Sequence, residues 1–157
     1  RLTYSLASGF LGRLCLSGEL DDLDEKQWSL VQEIVLFYSR VAPIIKNGRS
    51  KLDQHIGLSW QHPQGAQAVL RTSIDHRQAL LVAHSFANPI PAEIVVNLPY
   101  GNWRIAGILP GTKMGSKVNR NTLSIQFAEE FEAYVVHLEN SQDEDGESLS
   151  RQQDLGL

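Results

Sequence analysis

The sequence predicts an α+β fold in which two helices and one short strand precede an antiparallel β-sandwich. Residues 2–45 carry apolar side chains mainly at helical spacing, whereas residues 52–138 form short alternating segments broken by Gly, Pro and Asn. From residue 139 onward the chain is polar and acidic. We therefore expect boundaries near residues 50 and 138, and a disordered tail over 139–157.

Composition limits the classes of partner. The chain has 157 residues, is 42% hydrophobic and 20% charged, and has a net charge of −4, which is typical of a globular protein. Its Lys and Arg residues are scattered, so no nucleic-acid partner is expected. No apolar run is long enough to cross a bilayer, so no membrane partner is expected either. The single cysteine, Cys15, and the lack of an Asn-x-Ser/Thr site favour a cytoplasmic compartment without assigning one.

The first helix is predicted over Leu2–Leu11, because Leu2, Leu6 and Phe10 recur at helical spacing. The next residues, RLCLSG from Arg13 to Gly18, read as a short buried strand followed by a tight turn. We expect the strand proper at Leu14–Leu16.

The second helix is predicted over Asp24–Lys46. Asp24 and Gln27 have the spacing of a capping box, and acidic residues crowd the helix start, where the helix dipole favours them. Gly48 is expected to end the helix as its C′ residue. A wide apolar stripe predicts packing against a large surface; it comprises Trp28, Val31, Ile34, Val35, Tyr38, Val41, Ala42 and Ile45.

Alternation then predicts seven strands of an antiparallel sandwich, with a hairpin turn at Asp75-His76-Arg77. The predicted strands are His55–Trp60, Ala66–Ile74, Gln78–Phe86, Glu93–Leu98, Trp103–Leu109, Leu123–Phe127 and Phe131–Leu138.

The segments GFLGRLCLSGELDDL, VQEIVLFYSRVAPIIKNGRS and SIDHRQALLVAHSF together resemble the C-terminal part of glycoside hydrolase family 36, the α-galactosidases. The resemblance covers residues 1–138 and rests on the order and spacing of its motifs. It implies that Leu2–Leu11, Leu14–Leu16 and Asp24–Lys46 are the seventh helix, eighth strand and eighth helix of a (β/α)8 barrel. The matching residues are Gly9, Gly12, Leu16, Ser17, Gly18, Glu19, Leu23, Tyr38, Ile45, Gly48, Asp75, Arg77 and Ala79.

The resemblance implies a full-length retaining enzyme that hydrolyses terminal α-galactosides with two aspartates about 5–5.5 Å apart. The family places both aspartates on earlier barrel strands, and no position here matches them. The chain alone is therefore expected to be inactive and to hold no catalytic residue, metal or cofactor. The expected partners are α-galactoside oligosaccharides, bound by the full-length enzyme, and further copies of the chain in a homo-oligomer.

Ser17, Gly18 and Glu19 follow the predicted eighth strand, and loops after barrel strands form the active-site face, so these residues are candidate substrate contacts. The alternative is structural: Gly18 permits a turn and Glu19 complements the next helix. Trp60 and Tyr100, next to turns, are candidates for stacking on sugar rings; the alternative is core packing.

Three other kinds of site, for calcium, for zinc and for a catalytic serine, have weaker support in the sequence. The acidic residues at 19–25 lack the pattern of a calcium loop, the five histidines lack zinc-ligand spacing, and no G-x-S-x-G motif accompanies a serine. Two other functions remain open: a carbohydrate-binding sandwich, and the C-terminal part of a family 31 α-glucosidase. Without the rest of a barrel, the faces carrying Leu14, Leu16, Trp28 and Ile34 are expected to be exposed and to drive self-association.

Overall fold

The computed structural model describes residues 2–18, 20–56, 61–112 and 116–141. Helices cover one face of a five-stranded antiparallel sheet, and a three-stranded antiparallel sheet covers the other face. The helical elements are α1 (Leu2–Ser8), two 3-10 turns (Gly9–Leu11 and Leu20–Asp22) and α2 (Glu25–Asn47). The strands are β1 (Arg49–Ile56), β2 (Gly65–Thr72), β3 (Gln78–Ser85), β4 (Glu93–Asn97), β5 (Asn102–Ile108), β6 (Ser116–Asn119), β7 (Thr122–Gln126) and β8 (Ala133–Ser141).

The two sheets have the orders β1-β2-β3-β8-β5 and β4-β7-β6. Every strand pair is antiparallel. This arrangement confirms the predicted α+β class with an antiparallel sandwich. The described residues do not include a barrel.

The central strands β3 and β8 are apolar on both faces because the five-stranded sheet is covered on both sides. Leu81 and Val136 point into the sandwich core, which they share with Ile125 of β7. Their neighbours Leu80 and Val135 point into a second core beneath the helices. This double burial explains the nearly continuous apolar run of β3.

Helix α2 begins as predicted. The Gln27 amide donates to Asp24 Oδ1 at 2.8 Å, and Gln27 Oε1 accepts from the Asp24 amide at 2.9 Å, which completes the capping box. The helix continues through Pro43 and ends before Gly48. None of the described helices, α2 included, is long and apolar enough to span a membrane.

Gly48 ends the helix for a different reason from the one predicted. Its φ is −73°, so it does not adopt the left-handed conformation of a C′ glycine. A β-carbon at this position would lie 2.5 Å from the carbonyl oxygen of Ile44 and 2.8 Å from that of Thr72. Close approach of the backbones, rather than a positive φ, therefore favours glycine here.

Three strand predictions need correction. β1 starts at Arg49, directly after α2, rather than near His55, because its residues are polar and it is an edge strand without an apolar alternation. β6, also an edge strand, was not predicted. β8 continues to Ser141, past the predicted start of the tail. Residues 57–60 and 142–157 lie outside the described residues.

The predicted strand at Leu14–Leu16 is not found: these residues have no regular secondary structure and belong to neither sheet. Ile34, which was expected to be left exposed, is instead fully buried against the five-stranded sheet. The sheet itself therefore supplies the partner of the sheet-facing side of α2. Leu16 and Trp28, by contrast, are each 38% exposed. Their exposure agrees with the expectation that these apolar side chains lack partners in the chain.

Candidate functional site

A groove of about 370 Å³ lies between α1, the segment Arg13–Ser17 and the first turns of α2. Its polar lining comes from Ser5, Arg13, Cys15 and Ser17. None of the described residues that line it is an Asp, a Glu or a His. Its apolar lining comes mainly from Leu2, Leu6, Leu14, Leu16, Leu20, Leu23 and Val31.

Hydrogen bonds from two long side chains anchor the start of the segment Arg13–Ser17. The Tyr38 hydroxyl on α2 donates to the Gly12 carbonyl at 2.9 Å. The Arg71 guanidinium on β2 donates to the Leu11 carbonyl at 3.1 Å and to the Ile45 carbonyl at 2.9 Å. Because Arg71 bridges the 3-10 turn, the end of α2 and the sheet, the direction in which the segment leaves Gly12 is fixed by the folded core.

Beyond Gly12, the backbone of Arg13–Ser17 makes no hydrogen bond to any described residue. Leu14 packs against the core beneath the helices, whereas Cys15, Leu16 and Ser17 are exposed. A run of residues with unpaired amides and carbonyls offers the same hydrogen-bonding groups as a sheet edge and can pair with another strand.

Ser17 and Gly18, two of the predicted substrate contacts, lie at the end of this segment. Ser17 lines the groove, and Gly18 has a φ of +106°, a conformation that glycine adopts without strain. The Leu20 amide donates to the Gly18 carbonyl at 3.0 Å and so closes a tight turn. Glu19 lies outside the described residues. The predicted turn is confirmed, and substrate contact remains a prediction.

Helix α2 adds exposed apolar surface next to the segment. Val31 lines the groove, and Tyr38, seven residues later on the same face of the helix, contacts Gly12. Trp28 and Val35 are neighbours of Val31 on the helix surface, three residues before it and four residues after it. Both side chains are more than a third exposed. The groove and this stripe together leave an apolar surface uncovered on the same side of the molecule as Leu16.

Tyr100 lies elsewhere, on the turn between β4 and β5, and its side chain is 92% exposed. The turn is held by Asn140, whose side-chain oxygen accepts from the Asn102 amide at 2.9 Å and whose side-chain nitrogen donates to the His76 carbonyl at 3.1 Å. Tyr100 does not line the groove that contains Ser17. Trp60, the other predicted stacking residue, lies outside the described residues.

The structure also brings together Ser8 and His84, a pair that the sequence analysis missed because the two residues are far apart in the chain. His84 Nε2 lies 3.3 Å from Ser8 Oγ, and the Tyr4 ring packs edge-on against the imidazole. Burial lowers the pKa of His84 from 6.5 to about 4. An imidazole with so low a pKa is a weak general base at neutral pH, so this pair is suited to packing rather than to activating Ser8 as a nucleophile.

The acidic run before α2 does not form a cation site within the described residues. The Asp24 carboxylate is taken up by the capping box, and Asp21 and Asp22 belong to a 3-10 turn. Across the described part of the chain, no cluster of three or more His, Cys, Asp or Glu side chains could hold a metal ion.

No protein-family model and no curated protein matches the chain. Among solved structures, the chain is similar to an α-amylase from H. orenii, with 18% identical residues and a TM-score of 0.43. The alignment covers 73% of this chain and 20% of the amylase chain. The chain thus spans about a fifth of that protein's length, and a likeness of this extent assigns neither a family nor an activity.

Proposed function

We propose that this chain is the C-terminal part of a retaining glycoside hydrolase that removes terminal α-galactosyl units. In this proposal residues 1–50 complete a (β/α)8 barrel, residues 51–138 form a supporting sandwich, and the catalytic aspartates lie on barrel strands that precede Arg1. The substrates are α-galactoside oligosaccharides, bound by the longer enzyme. The sequence resemblance suggests this activity, and one structural observation supports it.

That observation is the segment Arg13–Ser17, which has no regular secondary structure, is anchored at Gly12, borders an apolar groove and is unpaired within the described residues. A segment that precedes a tight turn and a long helix has the order of a strand and helix in a barrel unit. The partner that fits the open edge is a parallel strand of the preceding barrel chain, and the partners that fit the groove and Trp28 are apolar side chains of that barrel.

Strand alternation then gives each side chain a role. Leu14 packs toward the helices, so Leu16 belongs to the same outer face. In a barrel strand Arg13, Cys15 and Ser17 would lie on the opposite face, toward the barrel interior, whereas in this chain the side chains from Arg13 to Ser17 all line one groove. In the proposed barrel Ser17 would stand at the carboxyl end of the strand, where barrel enzymes bind their substrates, and we expect its hydroxyl to hydrogen-bond a sugar hydroxyl.

The activity is tested with the longer protein, which includes the chain encoded upstream of Arg1. We expect hydrolysis of p-nitrophenyl α-galactoside and no hydrolysis by residues 1–157 alone. Ser17→Ala in the longer protein should lower kcat/KM about tenfold through the loss of one hydrogen bond. The exposed Ser29→Ala is the matched control and should have no effect. Failure to cleave the galactoside would refute the proposal, and preferential cleavage of the α-glucoside would favour a family 31 enzyme.

A second candidate function is a carbohydrate-binding module, and the observation that favours it is the 92% exposure of Tyr100 on a turn held by Asn140. A rigid, exposed aromatic ring offers an apolar face to a sugar at low entropic cost. Binding of the chain to insoluble galactan that is lost in Tyr100→Ala would support this function. Retention of binding in that variant would exclude the Tyr100 turn as the binding surface.

A further inference from the structure

We propose that a second, smaller cleft, next to Phe131, binds a single pyranose ring of the same glycan and acts as an accessory subsite. The cleft has a volume of about 210 Å³, below the range of drug-sized pockets, so it has room for one ring rather than a chain. The choice of galactose as the sugar rests on the proposed function, whereas binding of a pyranose does not. The lining residues used in the argument are Thr3, Tyr4, Gly111, Thr112, Phe131 and Glu132.

Phe131 provides the apolar wall. Its side chain is 54% exposed, although a phenylalanine usually stabilises a protein by being buried. Its φ is +59°, a left-handed conformation that is strained for a bulky side chain. Strain of this kind persists where the surrounding structure enforces it and is common at binding sites. The Tyr4 ring lies edge-on to Phe131 at 6.1 Å and supports it from α1.

The loop that presents Phe131 is fixed from several sides. Glu132 Oε2 accepts from the Ala128 amide at 2.7 Å and from the Glu129 amide at 3.2 Å. The buried Ser85 hydroxyl donates to the Glu129 carbonyl at 2.9 Å and accepts from the Glu132 amide at 2.8 Å. The exposed ring is therefore held in a preformed orientation, which reduces the entropy cost of stacking a ligand on it.

Polar groups surround this apolar wall, as recognition of a sugar requires. The Thr3 hydroxyl makes no hydrogen bond to any described residue and is open to a ligand. The Thr112 hydroxyl donates to the Leu109 carbonyl at 2.6 Å, which leaves its lone pairs free to accept. The Glu132 carboxylate, which also interacts with the Tyr134 hydroxyl, lines the same cleft. A ring face beside two hydroxyls and a carboxylate matches the apolar C–H face and polar rim of a pyranose.

The position of the cleft connects it to the proposed active site. Leu2 lines the groove that contains Ser17, and the next residue, Thr3, lines the cleft. A β-carbon on Gly111 would lie 3.4 Å from Thr3 Oγ1 and 3.0 Å from Leu30 Cδ1, so the turn that carries Thr112 is packed against both helices. The two sites therefore flank the first turn of α1.

The test is a titration of residues 1–157 with methyl α-galactoside, followed by amide NMR shifts. We expect saturable shifts at Thr3, Thr112 and Phe131. Phe131→Gly removes the ring and also relieves the positive-φ strain, so affinity should fall about tenfold while the melting temperature stays the same or rises. Thr3→Val, which keeps the shape of the side chain, should weaken binding several-fold without loss of stability.

Two results would overturn the inference: no saturable shift for the unaltered chain, or equal affinity in Phe131→Gly. Loss of binding in Tyr100→Ala instead would assign the sugar to the 99–101 turn and also overturn it. The outcome is separable from the proposed function, because sugar binding that depends on Phe131 can be found whether or not the longer protein cleaves α-galactosides. A preference for methyl α-glucoside at this cleft would retain the subsite and contradict galactose as its sugar.

Discussion

At the scale of single residues, His84 links the burial of one imidazole to the pH dependence of folding. His84 lies on β3 beneath α1 and is 5% exposed, and burial lowers its pKa from 6.5 to about 4. Below pH 6.5 the unfolded chain therefore binds a proton that the folded chain does not bind. The contribution of neutral His84 to the free energy of unfolding is fully present above pH 6.5 and is lost as the pH falls toward 4.

We expect this loss to reach up to about 3 kcal/mol, since each tenfold change in proton affinity is worth ~1.4 kcal/mol. Urea unfolding between pH 7 and pH 4 measures it. His84→Gln cannot be protonated, so its free energy of unfolding should fall less over this range. His76→Asn, at an exposed turn, should follow the unaltered chain. The same pH dependence in all three proteins would contradict the account of His84.

Asn140 gives a second prediction at this scale. Its side chain is 8% exposed and joins the backbones of the 76 and 102 positions across two loops. Asn140→Ala leaves a part-buried amide and a part-buried carbonyl without this partner, so we expect the free energy of unfolding to fall by about 1–2 kcal/mol. Thermal or urea unfolding measures the change. Asn97→Ala, at an exposed position on β4, is the control and should change stability by less than about 0.5 kcal/mol.

The distance along the chain between two partners decides whether their contact can be predicted from the sequence. The Asp24–Gln27 capping box was predictable because its partners are separated by only one helical turn. The Ser8–His84 pair joins residues separated by 76 positions, and the contacts of Asn140 depend on the docking of two distant loops. Side chains of this second kind follow from the tertiary fold and not from spacing along the chain.

At the scale of elements, Tyr38 and Arg71 determine where the segment Arg13–Ser17 leaves the folded core. We expect Tyr38→Phe to remove the hydrogen bond to the Gly12 carbonyl at a cost of about 0.5–1.5 kcal/mol. The Gly12 amide donates to the Gly9 carbonyl at 3.2 Å, and its hydrogen exchange, followed in a peptide covering residues 9–17, should become about tenfold faster because local opening is easier.

Hydrogen-exchange mass spectrometry makes this measurement. Ser39→Ala on α2 is the control, because its hydroxyl bonds only to the Val35 carbonyl within the helix. Faster exchange confined to α2 in Tyr38→Phe, with no change over residues 9–17, would show that the hydroxyl does not anchor the segment.

Elements were predictable where burial leaves a periodic pattern. α2 and β3 bury wide apolar faces, and the sequence located both. The edge strands β1 and β6 bury little and are mainly polar, so pairing to a neighbour, rather than their own pattern, makes them strands. The run at Leu14–Leu16 shows the reverse: it has the composition of a strand but has no partner within the described residues.

At the scale of the whole molecule, the uncovered apolar surface formed by Leu16, Trp28 and Val35 predicts self-association. Each such side chain contributes about 1.5–3 kcal/mol when it is buried, so Trp28→Glu should weaken association about tenfold or more. Light scattering at tens of micromolar measures it. Ile74→Gln, on the 73–77 hairpin and at a position that is 68% exposed, should have no effect. A monodisperse monomer of the unaltered chain would contradict this prediction.

The central claim is that Arg13–Ser17 becomes a barrel strand when the upstream chain is present, with Cys15 facing the barrel interior. Cys15 is exposed in this chain, and it is the single cysteine, so its reaction with a maleimide reports on the segment directly. The measurement is the labelling rate of the Cys15 peptide, by mass spectrometry, in residues 1–157 and in the longer protein. We predict rapid labelling of the short chain and about 100-fold or slower labelling of the longer one under native conditions. Equal rates in the two proteins would contradict the account.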